Sequence, residues 1–540
     1  SECATIDKCA PATVSLTRSA PVPLWSMEAH NLMRTTLSLM SAVILLASSG
    51  RPAEPPSGPY QPTWPSLTQH EIPAWLLEAK LGIYAHWGVY AVPAYASEWY
   101  AKLMYDPKDR RGAYEFHRNT YGPQDKFGYK DLIPLFRAEK FDPNEWAELI
   151  RQSGAKYAGI AVVHHDGFGL WHSRVYRWNA GVMGPKRDLY GELVQALRTR
   201  GLKIIATEHH MRTFNWYLPA DEQLREQQRK AGFDLYDPRY ADLYWNQFTS
   251  TKAEFIQQWR RKLLEVIDNY RPDVLWFDGG DYTSPEVAEP VLASLAYYYN
   301  QAAARGATVE VLNKFAGTRK FNFPEAFGML TFEAGRDRPD LVPRPWIDDH
   351  SIAEQGWGYL RDQKIHPPRE ILLGFIDRVS RGGGLLLSLA PMADGVIPDN
   401  QKLVLREIGE WLKVNGEAIY GSRTWRVQTE GSTSKLIYLR DGHRRWRFEA
   451  CNSEDIRFTR KGSTLYAIAL GWPDDNKLKI KTLKAGADLG FGGIAAIRLL
   501  GSRQPVKWAR TPEALVVELP SERPCRHAYT LKIEVKGKLE

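Results

Sequence analysis

The residues of this chain best suited to chemistry are two carboxylates and a set of imidazoles and indoles. The segment Leu275-Trp276-Phe277-Asp278-Gly279-Gly280 holds the first carboxylate. Val274 to Phe277 reads as a buried strand that ends in one acid and two glycines. A lone acid at the mouth of a buried strand, beside small residues that admit a ligand, is where a barrel enzyme places a nucleophile. Taken alone, Asp278 is better explained as a helix N-cap at a strand-to-helix turn. The pattern recurs, however. His86-Trp87, His164-His165-Asp166, Glu208-His209-His210, Asn313-Lys314 and Glu333 each follow another apolar run. Six strand ends carrying polar or ionisable groups converge on one pocket in a barrel, and caps and turns do not account for six in register. Asp278 and Glu333 together fit cleavage of a glycosidic bond. One carboxylate attacks the anomeric carbon, while the other protonates the leaving oxygen and later activates water. Imidazoles would hold sugar hydroxyls, and aromatic faces would cover the apolar side of the ring.

The elements that must position these groups follow from periodicity. Strands are predicted at Leu81–Ala85, Tyr157–Val163, Leu202–Thr207, Asp273–Phe277, Val309–Leu312, Gly328–Phe332 and Leu385–Leu389. Amphipathic helices are predicted at Asn144–Ser153, Asp188–Arg200, Lys252–Tyr270, Pro290–Ala304, Arg369–Arg381 and Gln401–Val414. This alternation over residues 66–416 predicts an α/β fold, a (β/α)8-like barrel catalytic domain. From Gly421 the runs become short and alternating, with a hairpin turn at Lys461-Gly462, so residues 421–537 predict an all-β sandwich domain.

Metal and phosphate chemistry fare worse. Adjacent strand residues such as His164 and His165 point to opposite faces unless the strand has ended, so no metal site is expected. Gly382-Gly383-Gly384 precedes a strand instead of following one, which suits a helix stop and not a phosphate loop. No cofactor is implied.

The chain has 71 basic and 63 acidic residues, a net charge of +8 over 540 positions. That balance permits acidic substrates but makes no case for a nucleic-acid partner. Met33-Arg34, the apolar stretch Leu37 to Ala47 and the small residues Ala47-Ser48-Ser49-Gly50 form a signal-peptide pattern at 33–50, too short for a spanning helix. Residues 1–32 read as a doubtful leader and 51–65 as a Pro-rich linker. The expected destination is export, secreted or periplasmic, with no membrane segment in the mature form. Cys3 and Cys9 fall in the leader. Cys451 and Cys525 would form a disulfide or stay as two thiols.

The chain resembles the retaining α-L-fucosidases, glycoside hydrolase family 29, from about Tyr60 to its C-terminus. The resemblance rests on Gly82-Ile83-Tyr84-Ala85-His86-Trp87-Gly88, Ser97-Glu98-Trp99-Tyr100, His164-His165-Asp166-Gly167-Phe168, Arg187-Asp188-Leu189, Trp276-Phe277-Asp278-Gly279, Leu385 through Pro391, and Asn415-Gly416-Glu417-Ala418-Ile419-Tyr420. It implies exo-acting, retaining, cofactor-free release of terminal α-L-fucose from fucosylated glycans, oligosaccharides or polysaccharides. Asp278 matches the nucleophile and Glu333 an acid/base position that varies in the family. His86, Glu98, Trp99, His164, His165 and Trp276 match sugar-binding positions, Trp357 falls where an aromatic lines the pocket, and Glu208 is added as a substrate contact. The resemblance leaves a homo-oligomer open.

Three departures bear on the substrate. Thr207-Glu208 stands where the family often has tyrosine, Asn313-Lys314-Phe315 where Asn-Asp-Arg is common, and Trp346-Ile347-Asp348 where Trp-Glu is common. They leave α-L-galactose or a decorated fucose, with the same mechanism, as rival substrates. A catalytically inactive fucose-binding protein and a metal-dependent hydrolase are separate alternatives. Glu208, Asp348 and Asp349 are the fallback acids.

Overall fold

The computed structural model describes residues 58–539 except 316–320, 336–337, 340–341, 432–434, 439–443 and 449, with backbone alone at 435–438 and 444–447. The leader, the signal-peptide segment, Cys3 and Cys9 lie outside the described residues. Eight parallel strands form a closed barrel: β1 (Leu81–Ala85), β2 (Tyr157–Val163), β3 (Lys203–Glu208), β4 (Val274–Phe277), β5 (Glu310–Lys314), β6 (Met329–Glu333), β7 (Trp346–Ser351) and β8 (Gly383–Leu389). β8 pairs back to β1 over five residues, Leu81 opposite Leu385 through Ala85 opposite Leu389. Helices Pro143–Gln152, Leu189–Thr199, Lys252–Tyr270, Pro285–Ala304, Pro368–Ser380 and Asp399–Asn415 surround it. β5, β6 and β7 follow one another with no helix between them among the described residues.

Side chains alternate between the two faces of each strand, which splits the apolar residues into two cores. Tyr84, Tyr157, Ile205, Val274, Trp276, Leu312, Met329, Ile347 and Leu386 fill the lumen. Ile83, Ile204, Leu275, Val311 and Leu385, one step away, pack under the helices. Counting in twos from the lumen residues brings His86, Asp278, Lys314, Glu333 and Asp349 inward at the strand ends. β2 needs one more device. Ala161 pairs with Thr207 but Val163 with Glu208, so a bulge at Val162 shifts the phase. Val163 then faces outward with Glu208, and His164 turns inward beside His209.

Local sequence fixes the start of the helix Lys252–Tyr270, which leads into β4. Thr251 and Glu254 form a reciprocal capping box, with Thr251 N–H to the Glu254 carboxylate at 2.8 Å and Glu254 N–H to Thr251 Oγ1 at 3.2 Å. Asp278 caps nothing: the next helix starts at Pro285, with Ser284 at its N-cap. The N-cap explanation therefore fails. Part of the segment read as linker is docked. Tyr60 N–H donates to Asn300 at 3.0 Å, and the Tyr60 hydroxyl meets His70 at 2.9 Å.

The C-terminal domain adds strands β9 (Arg423–Glu430), β10 (Lys435–Tyr438), β11 (Arg444–Arg447), β12 (Ile456–Lys461), β13 (Thr464–Ala469), β14 (Lys477–Ile480), β15 (Ile494–Leu499), β16 (Lys507–Arg510), β17 (Leu515–Glu518) and β18 (Tyr529–Val535). A five-stranded sheet, in the order β15-β18-β13-β12-β9, faces the three-stranded sheet β14-β17-β16. Phe458, Leu465 and Leu531 from the first share one core with Leu478, Leu515 and Val517 from the second. β10 and β11 form a separate pair. Gly462, at φ +58°, turns the β12–β13 hairpin where only a left-handed residue closes it. Cys451 is buried and Cys525 partly so, and no disulfide joins the two. No helix among the described residues is long and apolar enough to cross a membrane.

Candidate active site

Asp278 sits at the end of β4 and is buried. Its two oxygens are held separately: Lys314 Nζ contacts Oδ1, and His165 Nε2 lies 3.2 Å from Oδ2. The Asp278 carbonyl accepts from the Tyr282 hydroxyl at 2.9 Å and Asn322 Nδ2 at 3.0 Å, so the backbone is pinned as well. Burial alone would raise its pKa, but the Lys314 charge, with the hydrogen bond from His165, wins and holds it well below the usual carboxylate range. Asp278 is thus ionised at neutral pH.

Lys314 also reaches Glu333, with Nζ 2.7 Å from Oε2. Two oxygens that share one ammonium are separated by at most two hydrogen-bond lengths, about 6 Å. That falls short of the roughly 6.5–9.5 Å of inverting carboxylate pairs and admits the roughly 5–5.5 Å of retaining ones. The Glu333 side chain is 21% exposed against 10% for Asp278, so the two differ in access to solvent. Burial pulls the Lys314 pKa down, but Asp278, Glu333 and Asp349 together push it up, so this lysine stays charged. Its ammonium also lies 5.1 Å from the Trp276 ring centroid.

Imidazoles and indoles complete the wall. His86 meets Trp357 at 5.1 Å, His209 at 5.0 Å and His164 at 5.6 Å between ring centroids. His209 also lies 5.1 Å from Trp276, which forms the floor. Trp99 stands edge-on to His165 at 5.8 Å. His165 Nδ1 donates to the His209 carbonyl at 2.5 Å, which turns Nε2 toward the nucleophile. Burial lowers the pKa of His86 to about 3 and those of His164 and His209 well below the ordinary range, so all three are neutral. Glu98 Oε2 accepts the Trp357 backbone N–H at 2.9 Å and thereby braces the loop that carries that indole.

The fallback acids and Glu208 are placed differently. Glu208 lies on the outer face of β3, where its oxygens accept His210 N–H at 2.8 Å and the Trp259 indole N–H at 3.0 Å. Burial lifts its pKa to about 7. The expectation that it touches substrate is therefore corrected: strand phase turns it toward the helices. Asp348 also faces outward, paired with Arg378. Asp349 faces the lumen and accepts the Tyr84 hydroxyl at 2.8 Å; burial first, then Glu333, push its pKa well above the usual value. Gly279 gives room to a side chain of the protein itself. A Cβ there would lie 2.5 Å from the Arg212 guanidinium, which donates to the Gly279 carbonyl at 3.2 Å.

Lys314 was legible only as a strand-end residue and a departure from the family pattern, and its double contact was not foreseen. His209 was missed as a site residue, although its place beyond β3 was visible. The signal lay in pairing His209 with His164 through the bulge, which requires the register.

An α-L-fucosidase family model matches residues 48–417, and an α-L-fucosidase C-terminal domain model matches 450–534. Plasma α-L-fucosidase of Rattus norvegicus is 33% identical over 511 residues, covering 93% of this chain and 99% of the relative. Tissue α-L-fucosidase of Homo sapiens is 32% identical over 507 residues, covering 92% and 96%. The crystal structure of Thermotoga maritima α-fucosidase in complex with fucose matches with a TM-score of 0.67 at 29% identity, covering 88% of this chain and 100% of that one. The chain belongs to the α-L-fucosidase family.

Proposed function

We propose that Asp278 and Glu333 carry out the family's retaining hydrolysis of terminal α-L-fucosides in this chain as nucleophile and acid/base. The observation that carries the assignment is the single Lys314 ammonium in contact with both carboxylates. An ionised Asp278 oxygen attacks the anomeric carbon while the bond to the leaving oxygen breaks and Glu333 donates a proton to it. The resulting fucosyl ester on Asp278 is opened by water, from which Glu333 removes a proton, and two inversions return the starting configuration. The Lys314 charge keeps Asp278 ionised before attack. It also offsets the charge that develops on Glu333 as its proton leaves. His165 fixes the orientation of Asp278 Oδ2. His86, His164, Trp99 and Trp357 form the wall around the sugar, and a relative at 29% identity was crystallised with fucose.

Hydrolysis of paired aryl α-L-fucoside and α-L-galactoside tests the proposal. Fucoside cleavage should fall by about 10³-fold or more, roughly 4 kcal/mol of barrier, in Asp278→Ala. Residual turnover near the parent rate would overturn the nucleophile assignment. Preference for the galactoside would favour the rival substrate, since a pocket rejects an added hydroxyl only weakly unless it is built against it. Export is proposed on the strength of the Leu37–Ala47 pattern. The N-terminus of secreted protein should lie near Gly50, and full-length chain retained in cells would contradict it.

A further inference from the structure

Three adjacent strand ends bring His86, His164 and His209 together. One ligating atom of each lies within 4.8 Å of the others, and all three residues are buried. Their ring nitrogens are unevenly used. Ser388 Oγ donates to the Leu389 carbonyl at 3.3 Å, so it accepts from His86 Nδ1–H at 2.8 Å and leaves the Nε2 lone pair free. His164 Nδ1 and both nitrogens of His209 are buried without a hydrogen-bond partner. Unpartnered buried polar atoms are costly, and three of them in one cluster call for a ligand.

We infer that His86, His164 and His209 form a site for a divalent transition ion, Zn²⁺ foremost, which competes with the sugar for the same nitrogens. Imidazole suits zinc, copper and nickel. Around a tetrahedral ion bonded at about 2.0–2.1 Å, nitrogens stand roughly 3.4 Å apart, a spacing that modest ring rotation would reach. A ligating imidazole is usually oriented by an acceptor on its far nitrogen, and the Ser388 hydroxyl takes that place for His86. The rings project from the ends of three paired strands, β1 to β3, so the set is held on a rigid base. The nearby Asp278 carboxylate supplies negative charge toward the cluster. The ion has no step in the two-carboxylate chemistry. It acts as an inhibitor, because lone pairs bound to metal cannot accept from sugar hydroxyls. That competition rests on the function proposed above, whereas binding of the ion does not.

The test is calorimetric titration of metal-stripped full chain with Zn²⁺ alone, with the Co²⁺ visible spectrum as a second readout. The expected result is one ion per chain and the Co²⁺ bands of a nitrogen-ligated tetrahedral site. Affinity should drop at least tenfold in His209→Gln and about 10–100-fold in Ser388→Ala. Absence of stoichiometric binding, or binding undiminished in a His209→Gln protein with native circular dichroism, would overturn the site. Ser388→Ala keeps the test open if His209→Gln does not fold. Zn²⁺ should raise the apparent KM for aryl α-L-fucoside and leave kcat unchanged, and a fall in kcat at constant KM would overturn the competition. A chain that binds Zn²⁺ through His209 yet cleaves no fucoside would retain the site and contradict the proposed function instead.

Discussion

At Asp278, burial and charge pull in opposite directions, and Lys314 decides the outcome. The nucleophile works only when ionised, and the cation keeps it so to low pH. Lys314→Met removes the opposing charge and leaves burial, so the Asp278 pKa must rise. The acid limb of the kcat/KM profile should therefore move to higher pH, and activity at neutral pH should fall. An unmoved acid limb would show that Lys314 does not set the charge of Asp278. The same sign holds for stability. A depressed carboxylate stabilises the fold above its unfolded pKa, and that contribution is lost as pH falls through the folded value. Asp278 and Glu333 were legible because each closes an apolar run. Their shared lysine was not, because sequence spacing cannot show that the ends of β4, β5 and β6 converge on one nitrogen.

Among the elements, β7 does the least visible work. Seven of the eight barrel strands are apolar runs that the sequence displays. β7 was read only as a source of fallback acids, since Asp348, Asp349 and His350 break its apolar pattern. The structure gives each acid a reason to be there: Asp349 faces the lumen and Asp348 neutralises Arg378 on the outer face. β7 also holds the turn after Glu333. Ala334 and Gly335 are left-handed, at φ +53° and +67°, and the alanine costs roughly 1–2 kcal/mol there. Ala334 N–H donates to the Asp349 carbonyl at 2.6 Å, and Gly335 N–H to Asp348 Oδ1 at 2.7 Å. Asp348 is thus a positioning residue for Glu333. Asp348→Ala, which removes the acceptor for Gly335, should lower kcat about tenfold, roughly 1.4 kcal/mol of barrier, with KM little changed, and should shift the alkaline limb. Steady-state kinetics across pH would check this. A loss of folded protein with unaltered kinetic constants would assign Asp348 to stability alone.

For the whole molecule, the joint between barrel and sandwich rests on buried polar contacts as well as apolar ones. Arg457 of β12 is fully buried, and its Nε lies 2.6 Å from Asp377 on the helix Pro368–Ser380. Arg369 donates to the carbonyls of His527, Cys451 and Leu470, each at 2.8 Å, and the Trp411 indole N–H donates to the Ala528 carbonyl at 2.8 Å. Removing one partner of a buried pair strands the other charge. Arg381 remains near Asp377 at 3.0 Å, so Arg457→Met should cost about 3 kcal/mol, the low end of what such losses cause. Urea denaturation measures this, and a change below about 1 kcal/mol would contradict a role for the pair in the joint. The sandwich was legible as alternating runs with a turn at Gly462. Its strands β9, β15 and β16 were not, because exposed arginines and lysines such as Arg423, Arg498 and Lys507 interrupt their apolar alternation. The barrel–sandwich joint was invisible because it pairs residues 80 positions apart.

The most direct test of the central claim is to trap the glycosyl-enzyme with a 2-deoxy-2-fluoro-α-L-fucosyl donor and locate the label by peptide mass spectrometry. The expected result is a fucosyl ester on Asp278, together with α-L-fucose as the first product of the ordinary reaction by NMR. A label on another residue, or β-L-fucose as the first product, would contradict it.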